Sequence, residues 1–192
     1  TVNIELTNRC NLNCVHCLKL KDNKDKLSFD DWRGIIDRLY KTGTMSLIIT
    51  GSEPMLRDDF FDIIEYIDSL KFRKILFTNG SLINDYNIQK IVDSNFDAIH
   101  ISLYSTQKYL NSFITRNQDY FNSLLNALKL LQNHNQKVIL KTPVMNINSN
   151  DLSNIELLAN RFGFEFQYNY IIFPREDGNQ DNLKYRISSE EL

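Results

Sequence analysis

The sequence predicts an α/β fold in which six strand–helix units build a parallel sheet. Short apolar or β-branched segments recur along the 192 residues, and amphipathic segments with helical spacing separate them. This alternation is typical of parallel strands joined by right-handed helical crossovers. Several strand-like segments are apolar throughout, which indicates strands that are covered on both faces. An open doubly wound sheet and a barrel both satisfy this pattern, and periodicity alone does not separate them.

Six segments are predicted as strands because apolar and β-branched residues dominate them. They cover residues 2–6, 46–50, 74–78, 98–103, 137–142 and 165–171. The carboxyl ends of parallel strands meet at one edge of the sheet, and ligands bind there in such folds. We therefore expect the functional residues directly after these segments.

Five amphipathic helices are predicted between the strands, with Ser28 as N-cap of the first and Gly43 as its stop. Gly163 is a suitable stop for the fifth. Residues 105–117 are predicted to form a polar loop, a candidate substrate-binding or lid segment. The apolar stripes, which we assign to the core, are Phe29, Trp32, Ile35, Ile36 and Leu39; Phe60, Ile63, Ile64 and Ile67; Ile88, Ile91 and Val92; Phe121, Leu124, Leu125, Leu128 and Leu131; and Leu152, Ile155, Leu158 and Phe162.

The composition indicates a soluble globular chain, with 42% hydrophobic and 24% charged residues and a formal net charge of −2. Because positive and negative residues are interspersed, no basic surface for nucleic acid is expected. The sequence contains neither a run of 18 apolar residues nor a signal-peptide pattern, so no membrane partner is expected. The chain begins at Thr1 without a methionine, and we expect it to be part of a longer protein.

All three cysteines lie within eight positions directly after the first predicted strand, in the segment Cys10-Asn-Leu-Asn-Cys14-Val-His-Cys17. Soft thiolates select iron–sulfur and zinc centres. A Cys-x3-Cys-x2-Cys loop suits three irons of a cubane [4Fe–4S] cluster and leaves the fourth iron without a protein ligand. An open iron can bind a small molecule, so the spacing suggests reactivity in addition to electron storage.

Other interpretations of the cysteines are weaker. A structural zinc site could use the three thiolates and His16, but His16 and Cys17 are adjacent, which makes tetrahedral ligation awkward. The usual second zinc knuckle is also missing. A disulfide framework requires an even number of cysteines in a secreted chain, and inert core cysteines are seldom placed so close together.

The cysteine segment resembles the signature of the radical S-adenosylmethionine (SAM) superfamily. The resemblance implies a partial (β/α)6 TIM-like barrel over residues 1–172, with residues 173–192 as a linker or tail toward a further domain. It implies that Cys10, Cys14 and Cys17 hold a [4Fe–4S] cluster whose free iron chelates the amino and carboxylate groups of SAM. His16 occupies a position that is typically aromatic in the family and packs near the adenine. A loop histidine without ligand contact is the alternative.

A second segment, Gly51-Ser52-Glu53-Pro54, follows the second predicted strand and is similar to the Gly-Gly-Glu-Pro motif of the same superfamily. In the family its backbone carbonyls and glutamate help to hold the amino group of SAM. A glycine is expected where backbone approaches a ligand closely. Ser52 departs from the pattern but is small, so the contact is expected to survive. Outside this context the segment is an ordinary turn.

Three further residues at strand ends match the family pattern and are expected to bind SAM. Asn79 belongs to a Thr-Asn-Gly segment after the third strand, and a simple turn is its alternative. Ser102 ends the fourth strand, where a serine contacts the ribose or carboxylate in relatives. Lys141, in the fifth strand, matches a cation that pairs with the SAM carboxylate, and a solvated strand end is its alternative.

Several other polar residues are assigned less specific roles. His100, inside the fourth strand, is expected to be a core or helix-facing residue, and Asn148 is expected to cap a helix. The tyrosines at strand ends, any of which could touch substrate, are Tyr104, Tyr168 and Tyr170.

The resemblance implies an enzyme that reductively cleaves SAM and uses a 5′-deoxyadenosyl radical to abstract hydrogen from a substrate. The chain most resembles SPASM-type enzymes that mature ribosomally made peptides or proteins, so a peptide or protein side chain is the expected substrate. An electron donor such as a flavodoxin or ferredoxin is implied, as is a reducing, cytoplasmic location. A small-molecule substrate is the first alternative, and a non-enzymatic zinc-binding module is the second.

Overall fold

The computed structural model describes residues 1–188, and within this range six strands form a single sheet. Their order in the sheet is their order in the chain, and every neighbouring pair is parallel. A doubly wound sheet reverses its strand order at a switch point, so the sequential order identifies the barrel. Since β1 and β6 are the edges of the sheet, the barrel is open, and the predicted partial (β/α)6 barrel is confirmed. The strands are β1 (Val2–Glu5), β2 (Ser46–Thr50), β3 (Arg73–Thr78), β4 (Ala98–Ser102), β5 (Val138–Pro143) and β6 (Glu165–Asn169).

The helices lie between successive strands, and their apolar stripes form the core with the outward-facing side chains of the sheet. Fully buried residues such as Ile36, Ile63, Leu124 and Ile155 belong to stripes predicted from the sequence. The described α-helices are α1 (Phe29–Lys41), α2 (Phe60–Ser69), α3 (Ile88–Asp93), α4 (Lys108–Thr115), α5 (Tyr120–Asn133) and α6 (Leu152–Phe162). Short 3-10 helices span Pro54–Leu56, Ser149–Asp151 and Asp181–Tyr185.

Helix α1 begins where its sequence predicts. The Ser28 hydroxyl accepts a hydrogen bond from the backbone N–H of Asp31 at 3.2 Å. In return, the Asp31 carboxylate accepts one from the backbone N–H of Ser28 at 2.9 Å. This reciprocal capping box satisfies N–H groups that have no partner inside the helix.

The prediction of a polar loop over residues 105–117 is wrong, because the segment contains helix α4. Leu110 and Ile114 of α4 are buried, and the carbonyl oxygens of Ile114 and Thr115 accept hydrogen bonds at 2.9 Å from the backbone N–H groups of Val15 and Asn13. The helix therefore supports the cysteine-containing loop after β1 (residues 7–20, here the cysteine loop). It is a packed element and does not have the exposure expected of a lid.

Residues 173–188 are the described part of the predicted tail, and we call them the C-terminal strap. They pack against the barrel and the cysteine loop, and Asn182 within them is fully buried. The last four positions of the predicted tail, residues 189–192, lie outside the described residues. Within residues 1–188, no helix combines the length and the apolar character that crossing a bilayer demands.

Candidate active site

The three cysteines are free thiols that line one cavity at the carboxyl ends of the strands. The backbone N–H of Leu12 lies 3.4 Å from the sulfur of Cys10, and the sulfur of Cys14 lies 3.7 Å from the Tyr104 hydroxyl. A turn brings the cysteines together, because the N–H of Cys17 donates to the carbonyl oxygen of Cys14 at 3.1 Å. The loop therefore presents all three sulfurs to the same space.

Burial makes two of these thiols, Cys10 and Cys14, weaker acids in the absence of a metal. It raises the pKa of Cys14 to about 12 and also raises the pKa of Cys10. A cation reverses this, because a thiol that binds a metal gives up its proton. Metal binding at this loop would therefore release protons.

The N-terminal end of the cysteine loop is held by a polar network beneath it. The side chains of Thr7 and Arg9 both donate to the carboxylate of Asp25, Arg9 at 2.9 Å. The buried Arg57 donates to the Leu6 carbonyl oxygen at 3.1 Å. Arg57 belongs to the segment after β2, so this bond ties the start of the cysteine loop to that segment. A buried guanidinium has five N–H donors and needs several such acceptors.

Six of the seven predicted SAM-binding residues line the same cavity as the cysteines. The exception is Glu53, which lies beneath the cavity wall. The residues lining the cavity are Cys10, Leu12, Cys14, His16, Cys17, Thr50, Gly51, Ser52, Phe77, Thr78, Asn79, His100, Ser102, Tyr104 and Lys141. They come from the cysteine loop and from the carboxyl ends of β2 to β5, as expected for parallel strands.

The sequence suggested that Gly51 lets the backbone approach a ligand, but in the structure it lets the backbone approach Thr7. Its φ is +135°, and a Cβ atom placed on it would lie 2.6 Å from the Thr7 carbonyl oxygen. The glycine therefore allows the backbone after β2 to pass against the start of the cysteine loop, and the N–H of Ser52 donates to the same oxygen at 2.9 Å. The close approach is made by protein backbone.

Glu53 is fully buried, and its carboxylate holds the carboxyl end of β3 in place. It accepts hydrogen bonds from the Thr78 hydroxyl at 2.8 Å and from the backbone N–H groups of Asn79 and Met55 at 2.8 and 3.1 Å. Burial raises its pKa to about 7. This geometry places the carboxylate under the site, in contact with residues of the wall.

Asn79 joins β3 to the cysteine loop. Its amide nitrogen donates to the Asn11 side-chain oxygen at 2.9 Å, and its own side-chain oxygen accepts from the backbone N–H of Ser81 at 2.9 Å. The predicted turn is therefore present, and its side chain also fixes the loop that carries Cys10.

Lys141 and Ser102 are neighbours across β4 and β5, where the sheet register pairs their Cα atoms. The Lys141 ammonium lies 5.0 Å from the centre of the Phe77 ring and forms no ion pair with any residue in the range 1–188. Burial lowers its pKa. The Lys141 ammonium is therefore a partly buried cation that lies over an aromatic ring, and it is suited to bind an anionic group of a ligand.

Sequence reasoning missed the role of His100 in the cavity wall. It was expected in the core, but it is half-buried, faces the cavity and stacks on Phe77 with ring centres 4.5 Å apart. Burial lowers its pKa to about 4, so the ring is neutral at physiological pH. The alternation of side chains within β4 predicts this position. His100 and Ser102 are two residues apart and share a face of the strand, and Ser102 was already expected in the site.

The other polar residues singled out from the sequence have distinct positions. Tyr104 is buried beside Cys14 and His16, whereas Tyr168 and Tyr170 are exposed and do not line the cavity. Asn148 is buried, but its side chain does not cap a helix. It donates to the Tyr104 carbonyl oxygen at 2.9 Å and so joins the segments after β4 and β5.

The residues present fit an iron–sulfur cluster with an organic ligand. Three thiols share the cavity, and three buried polar atoms of its wall have no hydrogen-bond partner within residues 1–188: Ser52 Oγ, His16 Nδ1 and His100 Nδ1. No group of three or more His, Cys, Asp and Glu side chains in that range is placed to hold a single metal ion. A cubane does not need such convergence, because each thiolate bonds a different iron.

The raised pKa of Glu53 predicts a specific dependence of stability on pH. Between about pH 4.5 and 7 the unfolded chain loses the Glu53 proton while the folded chain keeps it. The contribution of Glu53 to stability is therefore greatest below about pH 4.5, and it falls by about 3 kcal/mol up to pH 7, at about 1.4 kcal/mol per unit of pKa difference. Urea unfolding of wild type and Glu53→Gln across this range measures the effect, because the variant lacks the titrating group. A difference between the two proteins that does not change with pH would contradict the assignment.

Among curated proteins, the chain is similar to an uncharacterised protein and to two proteins with different named activities. It is 32% identical over 178 residues to MJ0804, an uncharacterised protein of Methanocaldococcus jannaschii, covering 92% of this chain and 59% of that protein. It is 29% identical over 170 residues to GTP 3′,8-cyclase of Synechocystis sp., covering 86% and 52%. It is 30% identical over 162 residues to mycofactocin maturase MftC of Mycolicibacterium smegmatis, covering 83% and 41%. The chain thus spans roughly half the length of these relatives.

Among solved structures, the fold is similar to that of Streptococcus suis SuiB bound to S-adenosylmethionine. The TM-score is 0.75 at 17% identity, and the match covers 91% of this chain and 43% of SuiB. This identity supports a common fold only. The decisive comparison is with the family model of the radical SAM superfamily, which matches residues 4–175 and so includes the end of β1, the cysteine loop and strands β2 to β6. The chain belongs to the radical SAM superfamily, whose members use a [4Fe–4S] cluster and S-adenosylmethionine.

Proposed function

We propose that this chain reductively cleaves SAM at a [4Fe–4S] cluster held by Cys10, Cys14 and Cys17, and that it abstracts hydrogen from a peptide or protein side chain. The observation that carries the proposal is the cavity that the three thiols share with six residues predicted from the sequence to bind SAM. When bound, the reduced cluster supplies the electron that splits SAM into methionine and a 5′-deoxyadenosyl radical.

The protein residues would bind and orient SAM at the cluster. Lys141 is suited to the SAM carboxylate, because its ammonium has no anionic partner within the described chain. Ser52 and the backbone around it would receive the amino group, and the unpaired Ser52 hydroxyl supports this role. His16 would pack near the adenine, since it lies in the cavity wall against Tyr104, with ring centres 5.1 Å apart.

The remaining predicted residues have supporting roles in this proposal. Glu53 and Asn79 hold the carboxyl end of β3 against the cysteine loop. Ser102 lies beside Lys141 and would contact the ribose or the carboxylate.

A peptide substrate is supported by what two similar proteins are named for. MftC is a maturase of mycofactocin, and SuiB has been solved bound to the precursor peptide SuiA. A small-molecule substrate is the second candidate, because GTP 3′,8-cyclase is similar at nearly the same identity. An external one-electron donor such as a flavodoxin or ferredoxin and a cytoplasmic location remain predictions that follow from the need for a reduced cluster. A catalytic barrel over residues 1–172 with a further domain beyond the tail also remains a prediction.

Anaerobic reconstitution with iron and sulfide tests the proposed chemistry. We expect a brown protein with about four iron atoms per chain and, with dithionite and SAM, formation of 5′-deoxyadenosine. The next probe is a deuterated synthetic copy of a precursor peptide whose gene lies beside the gene of this protein. It should transfer deuterium to 5′-deoxyadenosine, whereas GTP should not be converted. A colourless protein with one zinc ion would contradict the chemistry. Turnover with GTP and no transfer from peptide would contradict the substrate class.

A further inference from the structure

We propose that the C-terminal strap positions the second half of the cysteine loop, with Arg175 and Asn182 as positioning residues for Cys17 and His16. The role of Cys17 as a cluster ligand rests on the proposed function, whereas the contacts between the strap and the loop are present without a bound cluster. Residues 173–188 thus have a role that a linker would not have.

Two strap side chains hold consecutive carbonyl groups of the cysteine loop. The Arg175 guanidinium donates to the Cys17 carbonyl oxygen at 3.0 Å, and the Asn182 amide donates to the His16 carbonyl oxygen at 3.2 Å. Fixing both carbonyls fixes the two peptide planes that flank Cys17. The Cys17 sulfur and the His16 ring are thereby held toward the cavity.

A third strap residue, Glu176, continues the contact along the loop. Its backbone N–H donates to the Leu18 carbonyl oxygen at 3.0 Å, and its carboxylate accepts from the backbone N–H of Leu20 at 3.1 Å. The Lys19 ammonium forms ion pairs with two carboxylates, that of Glu176 at 2.8 Å and that of Glu5 in β1 at 2.6 Å. Five consecutive loop residues, 16–20, therefore contact the strap directly or through its ion pair.

The first half of the loop is held by different elements. Asn13 and Val15 donate to carbonyl groups of α4, and Asn11 accepts from Asn79 of the β3 end. The strap therefore supplies backbone hydrogen bonds to residues 16–20, whereas α4 and the end of β3 supply them to residues 11–15. Without the strap, the carbonyl groups of His16 and Cys17 would lose the side-chain donors that orient them.

The strap is itself anchored, so it can act as a support. Asn182 is fully buried and donates a second bond to the Phe173 carbonyl oxygen at 2.8 Å. Arg186 donates twice to the Ile172 carbonyl oxygen, at 3.0 and 2.7 Å. The backbone N–H of Asn146, after β5, donates to the Tyr185 carbonyl oxygen at 3.1 Å.

Hydrogen exchange of the apo-protein tests the role of the strap without any cluster. In Arg175→Ala and in Asn182→Ala, we expect amides of residues 16–20 to exchange about tenfold faster, as for the loss of one ordinary hydrogen bond, while residues 11–15 keep their protection. Arg175→Lys should restore part of the protection, because its ammonium can still donate to the Cys17 carbonyl. Lys184→Ala is the control within the strap, since its ammonium lies 5.3 Å from the centre of the Tyr185 ring, inside the strap and away from the loop. Asp181→Asn is the control for the ion pair between Arg175 and Asp181.

The reconstituted proteins provide the second readout. We expect Arg175→Ala and Asn182→Ala to lose the cluster severalfold faster in air than wild type or Lys184→Ala, and their reduced-state EPR signal to broaden when SAM is added. If Asn182→Ala fails to fold, Arg175→Ala decides alone. Unchanged exchange of residues 16–20, or equal loosening by Lys184→Ala, would overturn the proposal. A wild-type chain that takes up no cluster would instead overturn the proposed function, and the exchange result would still stand.

Discussion

Replacement of Cys14 by alanine is expected to abolish both the cluster and the cleavage of SAM while most of the fold remains. The chain contains only three cysteines, so no other thiolate can take the place of Cys14. Cys14 lies on a loop at the rim of the barrel, and the change removes one sulfur atom from a half-buried position. We therefore expect less than about 1.5 kcal/mol of destabilisation, as for small changes of volume. Iron and sulfide content, 5′-deoxyadenosine formation and thermal unfolding measure the three effects.

The control for this variant is Tyr104→Phe, which removes the hydroxyl 3.7 Å from the Cys14 sulfur and keeps all three thiols. It should take up the full amount of iron and sulfide. Formation of 5′-deoxyadenosine by Cys14→Ala would show that the ligand assignment is wrong. A Cys14→Ala protein that is globally unfolded would show that the loop contributes more to the fold than its position indicates.

Replacement of Gly51 by alanine is expected to be the most destabilising single methyl addition at the site. The new Cβ atom would lie 2.6 Å from the Thr7 carbonyl oxygen and 3.0 Å from the Thr7 nitrogen, and backbone atoms cannot move aside as a flexible side chain can. The φ of +135° adds strain for any residue with a side chain. Together these effects should cost about 3–5 kcal/mol. Because Thr7 begins the cysteine loop, cluster uptake should fall as well.

Gly163→Ala is the matched control for this prediction. Gly163 also has a positive φ, +72°, but nothing lies within 4 Å of an added Cβ atom. It should therefore lose only about 1–2 kcal/mol, the cost of the backbone conformation. Chemical unfolding of both variants separates the two terms. Equal losses of stability would mean that the contact between Gly51 and Thr7 is not important.

The strand pattern was predictable because buried parallel strands have a strong compositional signal. β2 agrees with its predicted bounds, whereas β6 was predicted to reach residue 171 and ends at Asn169. Tyr170 and Ile171 have strand propensity but are 41% and 62% exposed, beyond the end of β5. Propensity describes how well a residue suits a pleated surface, and it does not show where the neighbouring strand ends.

Helix α4 was not predicted because its sequence lacks the usual signals. The residue before it, Gln107, makes no side-chain capping bond, and the helix ends at Arg116 in the left-handed conformation in place of a glycine. Its polar Asn111 is fully buried, where it donates to the Ser105 carbonyl oxygen at 2.5 Å. A buried asparagine interrupts the apolar stripe on which helix prediction depends.

The site residues were predictable where a short motif marks them and less so where tertiary contacts define them. Cys10, Cys14 and Cys17 stand out by spacing alone. The positions of Glu53 beneath the cavity and His100 within its wall depend on side-chain directions in neighbouring strands, which one sequence does not reveal. The strap was interpreted as a linker because its composition is polar, and its bonds to loop carbonyls leave no sequence pattern.

The most direct test of the central claim is a crystal structure of the anaerobically reconstituted chain with SAM, phased on iron. We expect density for a cubane bonded to the sulfurs of Cys10, Cys14 and Cys17, with its fourth iron bound by the amino and carboxylate groups of SAM and by no side chain. A single tetrahedral ion in the cavity, or three sulfurs that do not share one metal centre, would contradict the account.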